Sequence, residues 1–215
     1  PRQLQRNRMK APLIGKTLRH SFSAEIHRAL GTEYDLTELD EAELDAFMKN
    51  PPVDCFNVTI PYKETVMPYL DELDESAKIV GCVNTVKIEN GKKIGYNTDI
   101  DGMAYLFARA GVTLKNKTVT ILGSGGTSKT ARALAKREGA KKFYLVSRKG
   151  EYNYDNIATL TDTEILINTT PVGMFPNDGA SAVDPAIFPA LEFVADPVYN
   201  PLRTYITEQA RKIGV

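Results

Sequence analysis

The chain has 215 residues, 42% hydrophobic and 25% charged, with 27 Lys and Arg balanced by 27 Asp and Glu. That is an ordinary globular mix, long enough for one large domain or two small ones, and it excludes a disordered or fibrous chain. A net charge of zero gives no bulk pull towards nucleic acid or an anionic membrane, so any bound anion must be held by local geometry. Two cysteines, Cys55 and Cys82, and two histidines, His20 and His27, form no Cys-x-x-Cys or His-Glu-x-x-His pattern. A zinc site and a disulfide framework are therefore not expected. No leader pattern or long apolar run stands out, which points to a cytoplasmic protein with no membrane or nucleic-acid partner. Residues 1–9 are polar and basic, with Arg2, Arg6 and Arg8, and read as a tail or tag.

Up to about Asp101 the pattern is mixed. Residues 12–14 are an apolar run before Gly15, a first strand. Residues 21–30 read as a helix stopped by Gly31, with Ser21 or Ser23 as its N-cap. Residues 34–36 are a second strand. Asp40 caps a helix that carries Leu44, Phe47 and Met48 and ends before Pro51-Pro52. Residues 55–60 form a strand. Pro61 suits the first turn of a following helix, where its missing N–H would have no partner anyway. Residues 76–80 are helical and stop at Gly81. Residues 83–88 and 93–96 flank Asn90-Gly91, a two-residue hairpin signal.

From Gly102 the pattern changes. Met103, Leu106 and Phe107 repeat at helical spacing up to Gly111, which predicts a connecting helix. Residues 119–122 form a buried strand, followed by a glycine turn and a helix with Ala131, Leu134 and Ala135, closed by Gly139. Residues 143–146, 165–167 and 193–195 are further strands. Strands alternating with helices indicate parallel βαβ units. The expected fold class is therefore α/β in two domains, 10–101 and 102–215, the second with a parallel sheet.

The turn Gly123-Ser124-Gly125-Gly126-Thr127-Ser128 follows a strand and opens a helix, and that context gives it meaning. Gly123 permits a tight turn, and Gly125 lets the backbone approach a pyrophosphate. The helix start offers unpaired N–H groups and the positive end of its dipole. Ser128 takes the third motif position, usually Gly or Ala. A rival alignment makes Gly123 to Thr130 a P-loop with Asp196 as magnesium partner, but Ser128 stands where that loop needs glycine. The next strand ends in Ser147-Arg148-Lys149. An acid there would accept from the ribose of NAD, and would repel a 2′-phosphate by about 4 kcal/mol at contact in an intermediate dielectric. Arg148 makes the same contact attractive, so NADP is the expected cofactor.

The segments Gly15-Lys16-Thr17-Leu18-Arg19-His20-Ser21-Phe22-Ser23 and Phe56-Asn57-Val58-Thr59-Ile60-Pro61-Tyr62-Lys63 resemble signatures of the shikimate dehydrogenase family. Val83-Asn84-Thr85, Tyr96-Asn97-Thr98-Asp99, the glycine turn, Asn168-Thr169-Thr170-Pro171-Val172-Gly173-Met174 and Asp196-Pro197-Val198-Tyr199-Asn200-Pro201 continue the resemblance in order. Thr17 and Ala24 replace family prolines, and Ser124 replaces an alanine. The stretch from Arg148 to Asn168 is short for the family. The resemblance further implies a Met-Leu and Gln-bearing segment beyond Val215, so a truncated carboxyl end is expected, with apolar surface left uncovered on the first domain.

The resemblance implies an NADP-dependent oxidoreductase that interconverts 3-dehydroshikimate and shikimate in aromatic amino-acid biosynthesis, with the substrate between a substrate domain and a Rossmann-like cofactor domain. The alternatives are a quinate/shikimate enzyme using NAD and a truncated, non-catalytic NADP-binding fragment. By resemblance, Lys63 and Asp99 are catalytic, and Ser21, Ser23, Thr59, Asn84 and Tyr199 bind substrate. Gly123, Ser124, Gly125, Gly126, Thr127, Ser147, Arg148, Lys149, Asn168 and Thr169 hold the cofactor. A solvated lysine is a poor base, so Lys63 is expected to relay the proton when desolvated or coupled, with Asp99 orienting the substrate. No metal is expected. His20 reads as structural and His27 as a helix-face residue. The partner is a small molecule, and the chain is a monomer or homodimer.

Overall fold

The computed structural model describes residues 10–18 and 21–215. The tail 1–9, and Arg19 and His20 of the first signature, lie outside the described residues. The chain divides into two compact units, one ending at Thr98 and the other beginning at Asp99, slightly before the boundary expected from sequence. Among the described residues no helix is long and apolar enough to cross a membrane.

The first unit contains β1 (Lys10–Gly15), α1 (Ser23–Ala29), β2 (Glu33–Glu38), α2 (Glu41–Lys49), β3 (Cys55–Val58), β4 (Glu72–Leu73), α3 (Glu75–Val80), β5 (Thr85–Glu89) and β6 (Lys92–Tyr96). They form a six-stranded sheet in the order β2-β1-β3-β5-β6-β4. β1 runs parallel to β2 and β3, whereas β3, β5 and β6 alternate in direction. Successive side chains of a strand point to opposite faces. Ile14 accordingly joins Leu44 and Met48 of α2 in one core, while Leu13 joins Ala24 and Tyr34 on the other face. Asp40 and Glu43 close a reciprocal capping box at the start of α2. Asn90 and Gly91 both take positive φ, 52° and 77°, which the tight turn between β5 and β6 requires.

Two local expectations are corrected. The N-cap position of α1 falls on Phe22, without a side-chain cap; Ser21, one residue earlier, accepts from Ser23 N at its Oγ at 3.2 Å. After Pro61 the chain makes turns and a single 3-10 helix, Met67–Tyr69, rather than an α-helix. Pro68 has no N–H to offer the Glu64 carbonyl, which accepts from Met67 N at 3.1 Å instead. The Lys63 carbonyl is taken by Val83 N at 2.8 Å.

The second unit contains α4 (Asp99–Arg109), β7 (Thr118–Leu122), α5 (Gly126–Arg137), β8 (Lys142–Val146), β9 (Ile165–Asn168), β10 (Phe193–Ala195) and α6 (Tyr205–Lys212). α4 begins at Asp99 rather than Gly102. Asp99 and Asp101 place two acids in its first turn, where the helix dipole favours them. The four strands form a parallel sheet in the order β10-β9-β7-β8. β7 is buried along its whole length, as a central parallel strand covered on both faces must be. Leu122, Val146 and Leu166 pack against Ile157, Phe188 and Ile206 on one face. Between β8 and β9 the helical structure is one 3-10 turn, Ile157–Thr159. Neither this turn nor α6 was expected from sequence.

Glu164 ties the amino ends of these strands. It accepts from Thr118 N at 2.8 Å and from Lys117 Nζ at 2.9 Å, and Lys117 also reaches Glu192. The Thr118 amide and then the Lys117 ammonium hold the Glu164 carboxyl below the usual carboxylate range, against a smaller opposing effect of burial. A depressed folded value means that the contribution is full above the unfolded value and is lost as pH falls through the folded one. Glu164→Gln is therefore expected to lower stability by about 1 kcal/mol near neutral pH. Urea unfolding in increasingly acid buffer should show its difference from the parent closing.

Candidate active site

In the second unit the chain steps outward from β7 to β8, then crosses back to β9. At such a reversal the carboxyl ends of parallel strands leave a crevice. Gly123 stands there with φ +107°, and a Cβ on it would lie 2.8 Å from Thr169 Oγ1 and 3.2 Å from the Thr169 carbonyl. Gly123 N donates to the Val146 carbonyl at 2.8 Å, and Thr169 N to the Leu122 carbonyl at 2.8 Å. Thr169 Oγ1 donates to the same Leu122 carbonyl. The glycine turn is thus fastened to the ends of both β8 and β9.

Gly125 is the N-cap of α5 and carries no capping side chain. A Cβ there would meet nothing within 4 Å among the described residues. The amides of Gly126 and Thr127 open the helix beside this space, and Ser124 is exposed in the turn. That arrangement fits a pyrophosphate, which needs close backbone approach and unpaired N–H groups. Ser128 is buried in the first turn of α5, a small side chain under the helix.

Ser147 follows β8 and closes a tight turn, its N–H donating to the Tyr152 carbonyl at 3.0 Å and its carbonyl accepting from Gly150 N at 3.2 Å. Arg148 and Lys149 stand exposed at its tip. Tyr154 is near enough for Arg148 to draw its phenol downward, although burial is the larger effect and pushes it up. Asn168 is buried, and its carboxamide is committed to the protein. It donates to the Val172 carbonyl at 3.3 Å and to Asp196 Oδ2 at 3.0 Å, and accepts from Thr170 N at 3.1 Å and Thr170 Oγ1 at 2.7 Å. It shapes the loop that follows β9.

Asp196 is a hub that sequence reasoning raised only as a magnesium ligand of the P-loop alignment. Its Oδ2 also accepts from Thr204 Oγ1 at 2.7 Å, and its Oδ1 from Val198 N at 3.0 Å. Burial pushes its carboxyl up, opposed by these hydrogen bonds. It joins the loop after β9 to the loop that carries the exposed Tyr199. The sequence signal was an aspartate just after the β10 strand and two residues before the N–H of Val198, an Asx turn.

In the first unit, Thr59 follows β3. Its N–H donates to the Ile14 carbonyl and its carbonyl accepts from Tyr62 N, each at 2.9 Å. A Cβ on Gly15 would lie 2.7 Å from Thr59 Cγ2 and 2.7 Å from Leu18 Cδ2, so a larger residue there would push on Thr59. Lys63 is half-buried. Val58 N donates to the Asn84 carbonyl at 2.8 Å, and Val83 N to the Lys63 carbonyl at 2.8 Å. These two bonds bring Thr59, Lys63 and Asn84 to one end of the sheet. Asn84 is buried; its Oδ1 accepts from Thr98 N at 2.9 Å and Thr85 Oγ1 at 3.0 Å, and its Nδ2 donates to Thr98 Oγ1 at 3.0 Å. Ser21 and Ser23 lie on the chain leaving β1, where Ser21 N donates to the Leu18 carbonyl at 3.1 Å. His27 stacks on Tyr34 with ring centroids 4.0 Å apart. Asp99, half-buried, opens α4 in the second unit. No group of three or more His, Cys, Asp or Glu able to hold a metal occurs among the described residues.

The family model of the shikimate dehydrogenase substrate binding domain matches residues 13–86. The chain is 36% identical to a shikimate dehydrogenase (NADP(+)) of Caldicellulosiruptor bescii, over 94% of this chain and 81% of the relative. The crystal structure of shikimate dehydrogenase 1 from Peptoclostridium difficile is similar with a TM-score of 0.86 at 33% identity, over 96% of this chain and 83% of that one. The shikimate 5-dehydrogenase of Thermus thermophilus, solved in complex with NADP(H) and shikimate, is similar with a TM-score of 0.85 at 25% identity, over 96% and 85% of the two chains.

Proposed function

The chain belongs to the shikimate dehydrogenase family, and from that premise we propose that it catalyses the reversible, NADP-dependent oxidation of shikimate to 3-dehydroshikimate in the cytoplasm. The observation that carries this reading is the gathering of Thr59, Lys63 and Asn84 at one end of the first sheet by the Val58–Asn84 and Val83–Lys63 backbone bonds. A polyol carboxylate needs hydroxyl and amide groups to fix its ring, and a cation to handle its proton. Thr59 and Asn84 supply the first, and Lys63 supplies the second.

NADP, when bound, supplies the hydride acceptor. Gly123, Ser124, Gly125, Gly126 and Thr127 would hold its pyrophosphate, and Ser147, Arg148 and Lys149 its 2′-phosphate. Asn168 and Thr169 shape the loop beside it. On the substrate side, the hydroxyls of Ser21 and Ser23 bind the carboxylate. Thr59 and Asn84 hold ring hydroxyls, and Tyr199 adds its phenol. Lys63 takes the proton of the hydroxyl being oxidised, and Asp99 orients that hydroxyl. The carbon loses a hydride and its oxygen a proton, so the C–OH becomes C=O.

The test is shikimate-dependent reduction of NADP by this chain, followed by nicotinamide absorbance. Reduction that requires shikimate supports the reading. Cofactor binding with no reduction would replace it with a non-catalytic NADP-binding chain. Arg148→Asp is expected to shift preference from NADP towards NAD by about tenfold to a hundredfold, by turning a charge-assisted contact into repulsion. An unchanged ratio of kcat/KM values for the two cofactors would remove Arg148 from the phosphate site.

A further inference from the structure

Behind Asn84 lies a chain of side chains that the proposed reaction does not use. Asn57 on β3 and Thr85 on β5 face each other across an antiparallel pair. Asn57 Nδ2 donates to Thr85 Oγ1 at 2.9 Å and to the Asn84 carbonyl at 3.2 Å, and Asn57 Oδ1 accepts from the Tyr34 hydroxyl at 2.8 Å. Thr85 Oγ1 in turn donates to Asn84 Oδ1 at 3.0 Å.

The direction of this relay is forced by backbone groups at both ends. The Thr98 N–H can only donate, so the Asn84 atom 2.9 Å from it is the side-chain oxygen. The Asn84 carbonyl can only accept, so the Asn57 atom 3.2 Å from it is the amide nitrogen. Thr85, receiving from Asn57, must direct its one hydrogen at Asn84 Oδ1. Tyr34 closes the far end; burial pushes its phenol up to about 12, so it remains a donor at working pH.

We propose that Asn57 and Thr85 are positioning residues that, with the Thr98 N–H, hold the Asn84 carboxamide in one orientation, its oxygen turned to protein donors, so that a substrate hydroxyl oxygen meets its amide nitrogen. This rests on Asn84 being a substrate ligand. Without the Thr85 hydroxyl, the Asn84 oxygen keeps the Thr98 N–H but loses its second donor, so the carboxamide is held less firmly and binding weakens.

Thr85→Val keeps the shape and removes the relay hydroxyl, Thr85→Ser restores it, and Asn57→Asp turns the Thr85 hydrogen away from Asn84. Thr85→Val and Asn57→Asp are expected to raise the KM for shikimate about tenfold, with the KM for NADP within about twofold of the parent and Thr85→Ser close to the parent. A parental shikimate KM in Thr85→Val would overturn the proposal. So would equal rises in both KM values, or the same loss in Thr85→Ser. Should Thr85→Val not fold, Asn57→Asp decides by the same criteria. The relay is also read without substrate, from the NMR shifts and exchange of the Asn84 side-chain amide protons. These should move in Thr85→Val and stay parental in Thr85→Ser, and no movement in Thr85→Val overturns the proposal. If the parent neither binds nor oxidises shikimate, the functional reading fails, and the NMR comparison still decides the relay.

Discussion

Replacing Lys63 with methionine is expected to lower kcat for shikimate oxidation by about a hundredfold to ten-thousandfold, the usual range for losing a proton-transfer group. Both KM values should stay within about threefold, because the ammonium would act mainly as charge moves in the transition state. Methionine keeps the apolar stem and removes only the charged head. The backbone should not move, since the Lys63 carbonyl is held by Val83 N at 2.8 Å and the neighbouring Tyr62 is buried, with its hydroxyl on the Leu39 carbonyl at 2.6 Å. Steady-state kinetics with each substrate varied would check this. Near-parental turnover would remove Lys63 from proton transfer. A raised shikimate KM with unchanged kcat would leave it only a binding role.

Gly123→Val is expected to damage both cofactor binding and folding. The position has φ +107°, and its new Cβ would meet Thr169 Oγ1 at 2.8 Å, the Thr169 carbonyl at 3.2 Å and Thr170 Cγ2 at 3.2 Å. A branched residue in that backbone region costs about 1–3 kcal/mol before any clash. Relief requires the glycine turn to leave the ends of β8 and β9, which displaces the start of α5. NADP affinity should fall by roughly tenfold to a hundredfold, and the urea midpoint should fall with it. Gly125→Ala is the contrasting variant, because nothing within 4 Å among the described residues opposes a Cβ there. Its fold should be preserved while NADP binding weakens, since the added methyl would occupy the approach to the pyrophosphate. Unaltered cofactor affinity in both variants would mean that the turn does not carry the dinucleotide.

Much of this was legible in the sequence because the signals are local. Asp40 with Glu43, and Asn90 with Gly91, act within a few residues of themselves, so the α2 cap and the β5–β6 turn could be read directly. The glycine turn between an apolar strand and a small-residue helix is equally local. The start of the α1 helix differs because the sequence offers Ser21 and Ser23 as capping side chains, whereas the N-cap position falls on Phe22 between them, which carries no capping group. The helix expected after Pro61 failed for two reasons. Pro68 removes a donor, which the sequence displays, and the Lys63 carbonyl is taken by Val83 N, which it does not. Strand β4 has two residues and exists only because β6 offers it an edge.

The sequence by itself determined the division into a mixed and a parallel α/β unit, the glycine turn with its basic companions Arg148 and Lys149, and the family blocks that carry Lys63, Asn84 and Asp99. Each of these is written in residue type and short spacing. Only the tertiary structure decided that Asn168 is turned inward onto Asp196, that Gly123 must be glycine because Thr169 crosses it, and that Asn84 is oriented by Asn57 and Thr85. Such facts depend on residues many positions apart meeting at hydrogen-bond distance. A buried polar group must find its partner wherever the packed strands place one.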